Sequence, residues 1–246
     1  MSRFLCFKRL EPCTRRMMKQ HAAAAAYSTA SKPKKEKRLW GDAASAAFIA
    51  AAKSTSSIPK SNGLPEIVVT GRANAGKSTL LNAVLGRTSL LSTSKKAGHT
   101  RSLNFYRVGA DPGKLLLVDT PGYGARGRAE WGALFDHYIQ NRKELKRIYI
   151  LFNAKHGLNE TDKQMVAHLS DALVTEQGTQ PFTLQAIITK ADTVPIANLE
   201  QVIAGMKKDI WEAAPLCLPP IVTSAEMRPP FGVDLVRQNI AQACGL

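Results

Sequence analysis

The sequence predicts an α/β fold: a mostly parallel six-stranded sheet with one antiparallel strand, covered by helices on both faces as a three-layer sandwich. Three observations carry this. From Glu66 onward, short apolar runs rich in Val, Ile and Leu alternate with longer helix-like stretches, as expected of strands buried on both faces and joined by helical crossovers. A glycine-punctuated loop, residues 71–78, ends the first of those strands and opens a helix. Two further strand candidates are separated by little more than Gly109-Ala110-Asp111-Pro112-Gly113, a hairpin connection that sets one strand antiparallel to the others.

Taken in order, Glu66-Ile67-Val68-Val69-Thr70 forms the first strand and Gly71 stops it. Behind the loop, Leu80, Leu81 and Val84 recur at helical spacing. Residues 103–108 and 114–118 are the hairpin strands, and 148–152, 184–189 and 219–223 are further buried strands. Between and after them, residues 129–145, 160–176, 196–214 and 233–243 have the length and pattern of helices, wound over the sheet by right-handed crossovers. Ahead of Glu66 the reading is weaker: an alanine-rich segment after Trp40 is taken as a short ordered approach, and residues 54–65, rich in Ser, Pro and Asn, as a loop.

Charge divides the chain unevenly. Residues 1–38 hold 11 Lys and Arg against 2 acids, and the remaining 208 positions hold 23 against 17. Arg3, Lys8, Arg9, Arg15, Arg16 and Lys19 face only Glu11 in the first 20 residues, followed by an alanine run and Tyr27-Ser28-Thr29-Ala30-Ser31. That composition is expected of a mitochondrial transit peptide over residues 1–30, with a basic linker and N-terminal extension over 31–63 and the globular domain over 64–246. A basic arm that touches nucleic acid or acidic lipid is the alternative. No uncharged run approaches the roughly 18 apolar residues a membrane span needs, so membrane insertion is not expected. Cys6, Cys13, Cys217 and Cys244 form no pair with metal-ligand spacing and no disulfide framework, consistent with a reducing compartment such as the mitochondrial matrix.

The chemistry begins at Gly71-Arg72-Ala73-Asn74-Ala75-Gly76-Lys77-Ser78, which fits G-x-x-x-x-G-K-[ST] between a strand and a helix. Glycines let successive backbone N–H groups point at a phosphate, and the helix N-terminus adds its dipole. Lys77 is expected to reach the β and γ phosphates and Ser78 to ligate Mg²⁺, with Thr79 completing the phosphate-binding set. Asp119-Thr120-Pro121-Gly122 closes the strand 114–118; its carboxylate can hold the Mg²⁺ shell and the Gly122 N–H can meet a γ-phosphate. Asp119 to Gly122 is read as the switch II motif, and the polar segment 89–101, read as switch I, carries Gly98 and Thr100, with Thr100 the candidate third Mg²⁺ ligand. Thr189-Lys190-Ala191-Asp192 ends a later strand. Its aspartate can accept two hydrogen bonds from guanine N1 and N2, a pair adenine does not offer, so a buried carboxylate there discriminates strongly. Thr223-Ser224-Ala225, at the end of the next strand, supplies backbone to close over the guanine oxygen. The expected ligands are therefore GTP and GDP with Mg²⁺, and Lys77, Thr100 and Gly122 are the expected contributors to hydrolysis.

With these motifs in this order, the chain resembles an EngB-type GTPase of the translation-factor-related class, a Ras-like P-loop GTPase, in a mitochondrial form. The resemblance runs from about Trp40 to the C-terminus. More specific than the shared motifs are Thr93-Ser94-Lys95-Lys96-Ala97-Gly98-His99-Thr100 leading to Leu103-Asn104-Phe105, and Pro121-Gly122-Tyr123-Gly124. Trp131 with Tyr138, Arg142 and Leu145, and His156 with Asp162 and Met165, also match. Departures occur at Ala73, at Ala97-Gly98-His99-Thr100 and at Asn153-Ala154-Lys155-His156; they leave the nucleotide motifs intact and touch switch I detail and any role of His156.

The resemblance implies an assembly factor for the large ribosomal subunit, here the mitochondrial one, acting as a monomer. Lys95, Lys96, Arg101 and Arg107 around switch I, with Arg126 and Arg128 in switch II, offer charge for rRNA phosphates; solvated loops are the alternative. Tyr123 follows Gly122 where Ras-like enzymes carry a water-orienting Gln. A binding module with negligible hydrolysis therefore stands beside a partner-stimulated enzyme, and Asp192 argues against an ATP-using kinase. Asn74 is a candidate ligand for an activating K⁺, or else a brace for its own loop.

Overall fold

The computed structural model describes residues 40, 46–87, 90–91, 102–124, 129–174 and 181–246, with the side chains of 129–131 outside that set. The described residues fall within one compact unit, Lys34–Leu246. Residues 1–39, and with them the expected transit peptide, lie outside it or outside the description.

Seven strands join in one sheet: β1 (Ala46–Ala52), β2 (Glu66–Gly71), β3 (Leu103–Val108), β4 (Leu115–Asp119), β5 (Leu145–Asn153), β6 (Thr183–Thr189) and β7 (Leu218–Val222). The helices are α1 (Lys77–Val84), α2 (Ala129–Asn141), α3 (Glu160–Asp171), α4 (Ile196–Ala213) and α5 (Val233–Ala243). Strand order is β1-β3-β4-β2-β5-β6-β7. Strand β3 runs antiparallel to both β1 and β4, and every other pair is parallel. The single antiparallel strand of the sequence reading is therefore present.

Six strands were expected, and β1 is the correction. Ala46-Ala47-Phe48-Ile49-Ala50-Ala51-Ala52 has only Phe48 and Ile49 of the residue types that mark strands and is otherwise alanine, the best helix former. Pairing with β3, from Ala46 opposite Val108 to Ala52 opposite Leu103, fixes it as an edge strand. The sheet thus begins inside the segment read as linker and extension. Two helix ends also move. Helix α2 stops at Asn141 rather than at 145, because Leu145 opens β5 opposite Glu66. Helix α3 stops at Asp171, capped by Ala172, rather than at 176.

Alternation along β2 builds the three layers. Val68 faces a core shared with Phe135 and Ile139 of α2, Leu169 of α3 and Met206 of α4. Ile67 and Val69 face the other core, with Leu80 and Val84 of α1 and Val236 and Ile240 of α5. Each fully buried Phe, Leu or Ile contributes about 1.5–3 kcal/mol, so both helix layers are held to the sheet by many such residues. The consequence for function is geometric: β2, β4, β6 and β7 all end at one edge, where parallel α/β sheets place their ligand-binding loops. No described helix is long and apolar enough to cross a membrane.

Candidate functional site

The loop after β2 turns through left-handed backbone at Asn74 (φ 63°) and Gly76 (φ 89°) and delivers the chain into α1 at Lys77. Asn is among the few residues with a side chain that tolerates this region, and Gly adopts it freely. Helix α1 has no side-chain cap at Gly76 and no acid in its first turn. Its N-terminal N–H groups and dipole are left for an external anion. Helix α3 shows the contrast, since Asn159 and Asp162 cap it reciprocally and Glu160 and Asp162 lie in its first turn.

Lys77 Nζ donates to the Gly71 carbonyl at 3.0 Å, folding back over the loop. Burial pushes its pKa below the ordinary lysine value, against a smaller upward pull from Asp119. Asp119 ends β4, is 2% exposed, and its Oδ1 has no hydrogen-bond partner. Burial raises its pKa to about 6, and Lys77 offsets part of that rise. An orphaned buried carboxylate oxygen is costly unless something completes it. Among the described residues no group of three or more His, Cys, Asp and Glu is placed to hold a metal. One buried carboxylate at the end of β4 and one hydroxyl, Ser78, in the first turn of α1 are donor types that fit Mg²⁺, which keeps waters and phosphate oxygens rather than a protein cage.

Beyond Asp119, the Thr120 N–H continues the sheet by donating to the Val69 carbonyl at 3.2 Å, and Pro121 and Gly122 follow. Gly122 passes so close to the phosphate loop that a Cβ there would lie 2.8 Å from the Ala73 nitrogen. Only glycine fits that approach. Tyr123 then pairs with Arg72 in a short parallel bridge. Its side chain is 3% exposed, and its hydroxyl donates to Asp162 Oδ1 at 2.9 Å. Burial first, and that carboxylate second, push the phenol pKa well up. The residue in the Gln position is thus engaged with α3.

At the far side of the loop a solvent-open cleft of about 280 Å³ is lined by Gly76, Thr79, Leu80, Thr189, Lys190, Asp192, Thr223, Ala225 and Glu226. Thr189 Oγ1 donates to the Ala75 carbonyl at 2.7 Å, tying the end of β6 to the phosphate loop. Lys190 takes left-handed backbone (φ 56°) and its Cε stands near Gly76. The Ala191 N–H donates to the Thr223 carbonyl at 3.2 Å, and the Asp192 N–H to Ser224 Oγ at 3.0 Å. The two base-binding motifs read from sequence therefore meet, and Asp192 is presented at the cleft.

The structure brings together residues 71–79, 119–122, 189–192 and 223–225. Gly98, Thr100, Lys95, Lys96, Arg101, Arg126 and Arg128 lie outside the described residues. Arg107 is at the hairpin end of β3, its guanidinium donating to Asp111, so it does not flank switch I. Exposed His156 stands apart from this cleft. Cys217 and Cys244 are free thiols whose pKa values burial lifts to about 12 and about 11. Sequence reasoning missed Glu226 in the cleft wall and the contact of Tyr123 and Arg72 with Asp162; the second was signalled only by Asp162 and Tyr123 being among the residues that carry the resemblance.

A family model described as a 50S ribosome-binding GTPase matches residues 66–185. A probable GTP-binding protein EngB of Hyphomonas neptunium is 32% identical over 205 residues, covering 81% of this chain and 88% of the relative. One from Rhodospirillum rubrum is 32% identical over 209 residues, covering 82% and 86%, and one from Rhodopseudomonas palustris 38% over 170 residues, covering 65% and 74%. Among solved structures, Era of Aquifex aeolicus bound to GDP·AlF4⁻ superposes with a TM-score of 0.53 at 22% identity, covering 74% of this chain. Era in complex with MgGDPNP and a segment of 16S ribosomal RNA gives 0.51 at 22% identity over 73%. This chain spans 57% and 56% of those two Era chains, and the likeness is one of fold. The chain belongs to the EngB family of GTP-binding proteins, with a P-loop GTPase fold.

Proposed function

We propose that this EngB-family GTPase acts in assembly of the mitochondrial large ribosomal subunit, as a monomer of the matrix, cycling between GTP and GDP. The observation that carries the nucleotide part is the meeting of Asp192 with the phosphate loop, through Thr189 on Ala75 and Ser224 on the Asp192 N–H. Gly71 to Thr79 would cradle the phosphates, Lys77 would leave the Gly71 carbonyl for the β and γ oxygens, and Asp192 would read the guanine edge. Ser78, Asp119 and Thr100 would hold Mg²⁺, which when bound neutralises phosphate charge. The Gly122 N–H would meet the γ-phosphate.

Tyr123 is spent on Asp162, so no side chain at that position orients water, and slow intrinsic turnover follows. Activation then comes from a partner or from an ion. The basic residues 1–38 support the organelle address, with residues 1–30 as leader and 31–63 as linker and extension, and the ribosome-binding description of the matching family supports the subunit. Asn74, exposed in left-handed backbone, favours a K⁺ contribution over a braced loop, because its amide is open to a cation beside the phosphates.

Single-turnover hydrolysis of GTP and ATP, with and without mitochondrial large subunits, tests the proposal. Slow GTP turnover that the subunits accelerate is expected, with rates higher in KCl than in NaCl. Equal ATP turnover overturns the guanine reading, and subunits that bind in the GTP state without accelerating hydrolysis move the protein to the binding-module class.

A further inference from the structure

Asp162 does more than cap its helix. Its Oδ2 accepts the Asn159 N–H at 3.1 Å, completing the capping box of α3. That function needs only a surface carboxylate. Yet Asp162 is 2% exposed, its Oδ1 takes the Tyr123 hydroxyl at 2.9 Å, and the Arg72 guanidinium stands 3.6 Å from its Oδ2. Arg72 is the first residue of the phosphate loop past β2, and Tyr123 is the residue after the switch II glycine. One carboxylate therefore ties the phosphate loop, switch II and α3 together.

The backbone explains what this tie holds. Residues 72 and 123 form a parallel bridge, Gly122 lies against Ala73, and Gly124 lies against the stem of Arg72, whose Cγ would be 3.5 Å from a Cβ placed there. The strip 122–124 is thus laid along the phosphate loop, and the Gly122 N–H is carried by that strip. A buried hydroxyl bonded to a carboxylate is a strong, directional anchor, and Tyr123 has only this one polar atom.

We propose that Asp162 is a positioning residue for GTP hydrolysis: through Tyr123 and Arg72 it holds the strip 122–124 in the register that sets the Gly122 N–H against the γ-phosphate. The inference rests on the GTPase reading above. GDP has no γ-phosphate, so its binding is independent of the clamp. GTP binding and turnover depend on it.

The test compares wild type with Tyr123→Phe, Asp162→Asn and their combination, measuring GDP affinity, the affinity ratio of a non-hydrolysable GTP analogue to GDP, and the single-turnover rate at saturating Mg²⁺·GTP. Each single variant is expected to keep GDP affinity within about twofold and to lower the rate and the ratio by about tenfold, the scale of one charge-assisted hydrogen bond. The combination is expected to be no slower than the slower single variant, because both break one unit. Asn159→Ala removes the helix cap alone and should lower the melting temperature while leaving rate and ratio unchanged. Parallel losses of GDP and analogue affinity with an unaltered saturating rate would make Asp162 merely structural and overturn the proposal, as would unaltered values throughout or multiplicative losses in the combination. A wild type that binds GDP no better than ADP would sink the underlying guanine reading instead.

Discussion

Strand β2 joins two buried charged clusters that are built on opposite terms. At its start, Glu66 is fully buried, and its carboxylate accepts from the Tyr138 hydroxyl, from Arg142 Nε at 2.9 Å and from Arg142 Nη2 at 2.7 Å. The third guanidinium nitrogen donates to the Pro59 carbonyl at 3.0 Å. Every strong group has a partner within the fold. At the other end of the same strand, Thr70 Oγ1 and Asp119 Oδ1 are buried with no partner, and Lys77 reaches back to a backbone carbonyl. The first cluster is closed and locks α2 and the segment around Pro59 to the sheet. The second is open, and its unmet valence is what a phosphate with Mg²⁺ would complete. Burial alone does not mark a functional site in this molecule, and neither does a lone unpartnered atom, since Trp40 Nε1 and Arg107 Nε are also buried without one; a buried carboxylate oxygen left open beside an uncapped helix start does.

Substitutions that tell the two ends apart sharpen or break that contrast. The largest effect is expected from Glu66→Ala, which strands a buried guanidinium and a tyrosine hydroxyl and should cost about 3–5 kcal/mol in urea unfolding, while GDP affinity measured well below the melting temperature stays within about twofold. Lys77→Met should do the reverse. GTP affinity should fall by about 100-fold, roughly 3 kcal/mol, with a melting temperature equal to or above wild type, because a desolvated ammonium has been removed. Asp119→Asn is expected to be the smallest change in stability, within about 1 kcal/mol, since burial outweighs the Lys77 attraction at that carboxylate; Mg²⁺ should then cease to strengthen nucleotide binding. A loss in Asp119→Asn as large as that in Glu66→Ala would erase the distinction between closed and open clusters.

What could be read from the chain beforehand follows the same division. The open end is built from contiguous motifs, and Gly71 to Ser78, Asp119 to Gly122 and Thr189 to Asp192 announce themselves because phosphate and base recognition fix residue types at short spacing. The closed end is long-range. Glu66 and Arg142 meet across 76 positions, and nothing near Glu66 says that its charge is buried; Tyr138 and Arg142 stood out only through the resemblance. Strand β1 was missed for a related reason, since alanine carries no strand signal and the pairing with β3 alone decides its conformation. Tyr123 was legible as a missing Gln, but its anchor lies 39 residues away at Asp162.

The end of the cleft that presents Asp192 is the proposed guanine reader on which nucleotide choice depends, and competition binding with Mg²⁺ addresses it directly. GDP, ADP and xanthosine diphosphate would be titrated into the wild type and into Asp192→Asn. The wild type should prefer GDP to ADP by at least about 100-fold, the asymmetry of a polar pocket that leaves its carboxylate unpaired against the wrong base. Asp192→Asn should lose GDP affinity and gain affinity for xanthosine diphosphate, whose carbonyl accepts from the new amide. Equal wild-type affinity for ADP and GDP, or an Asp192→Asn protein that still prefers GDP, would contradict the assignment.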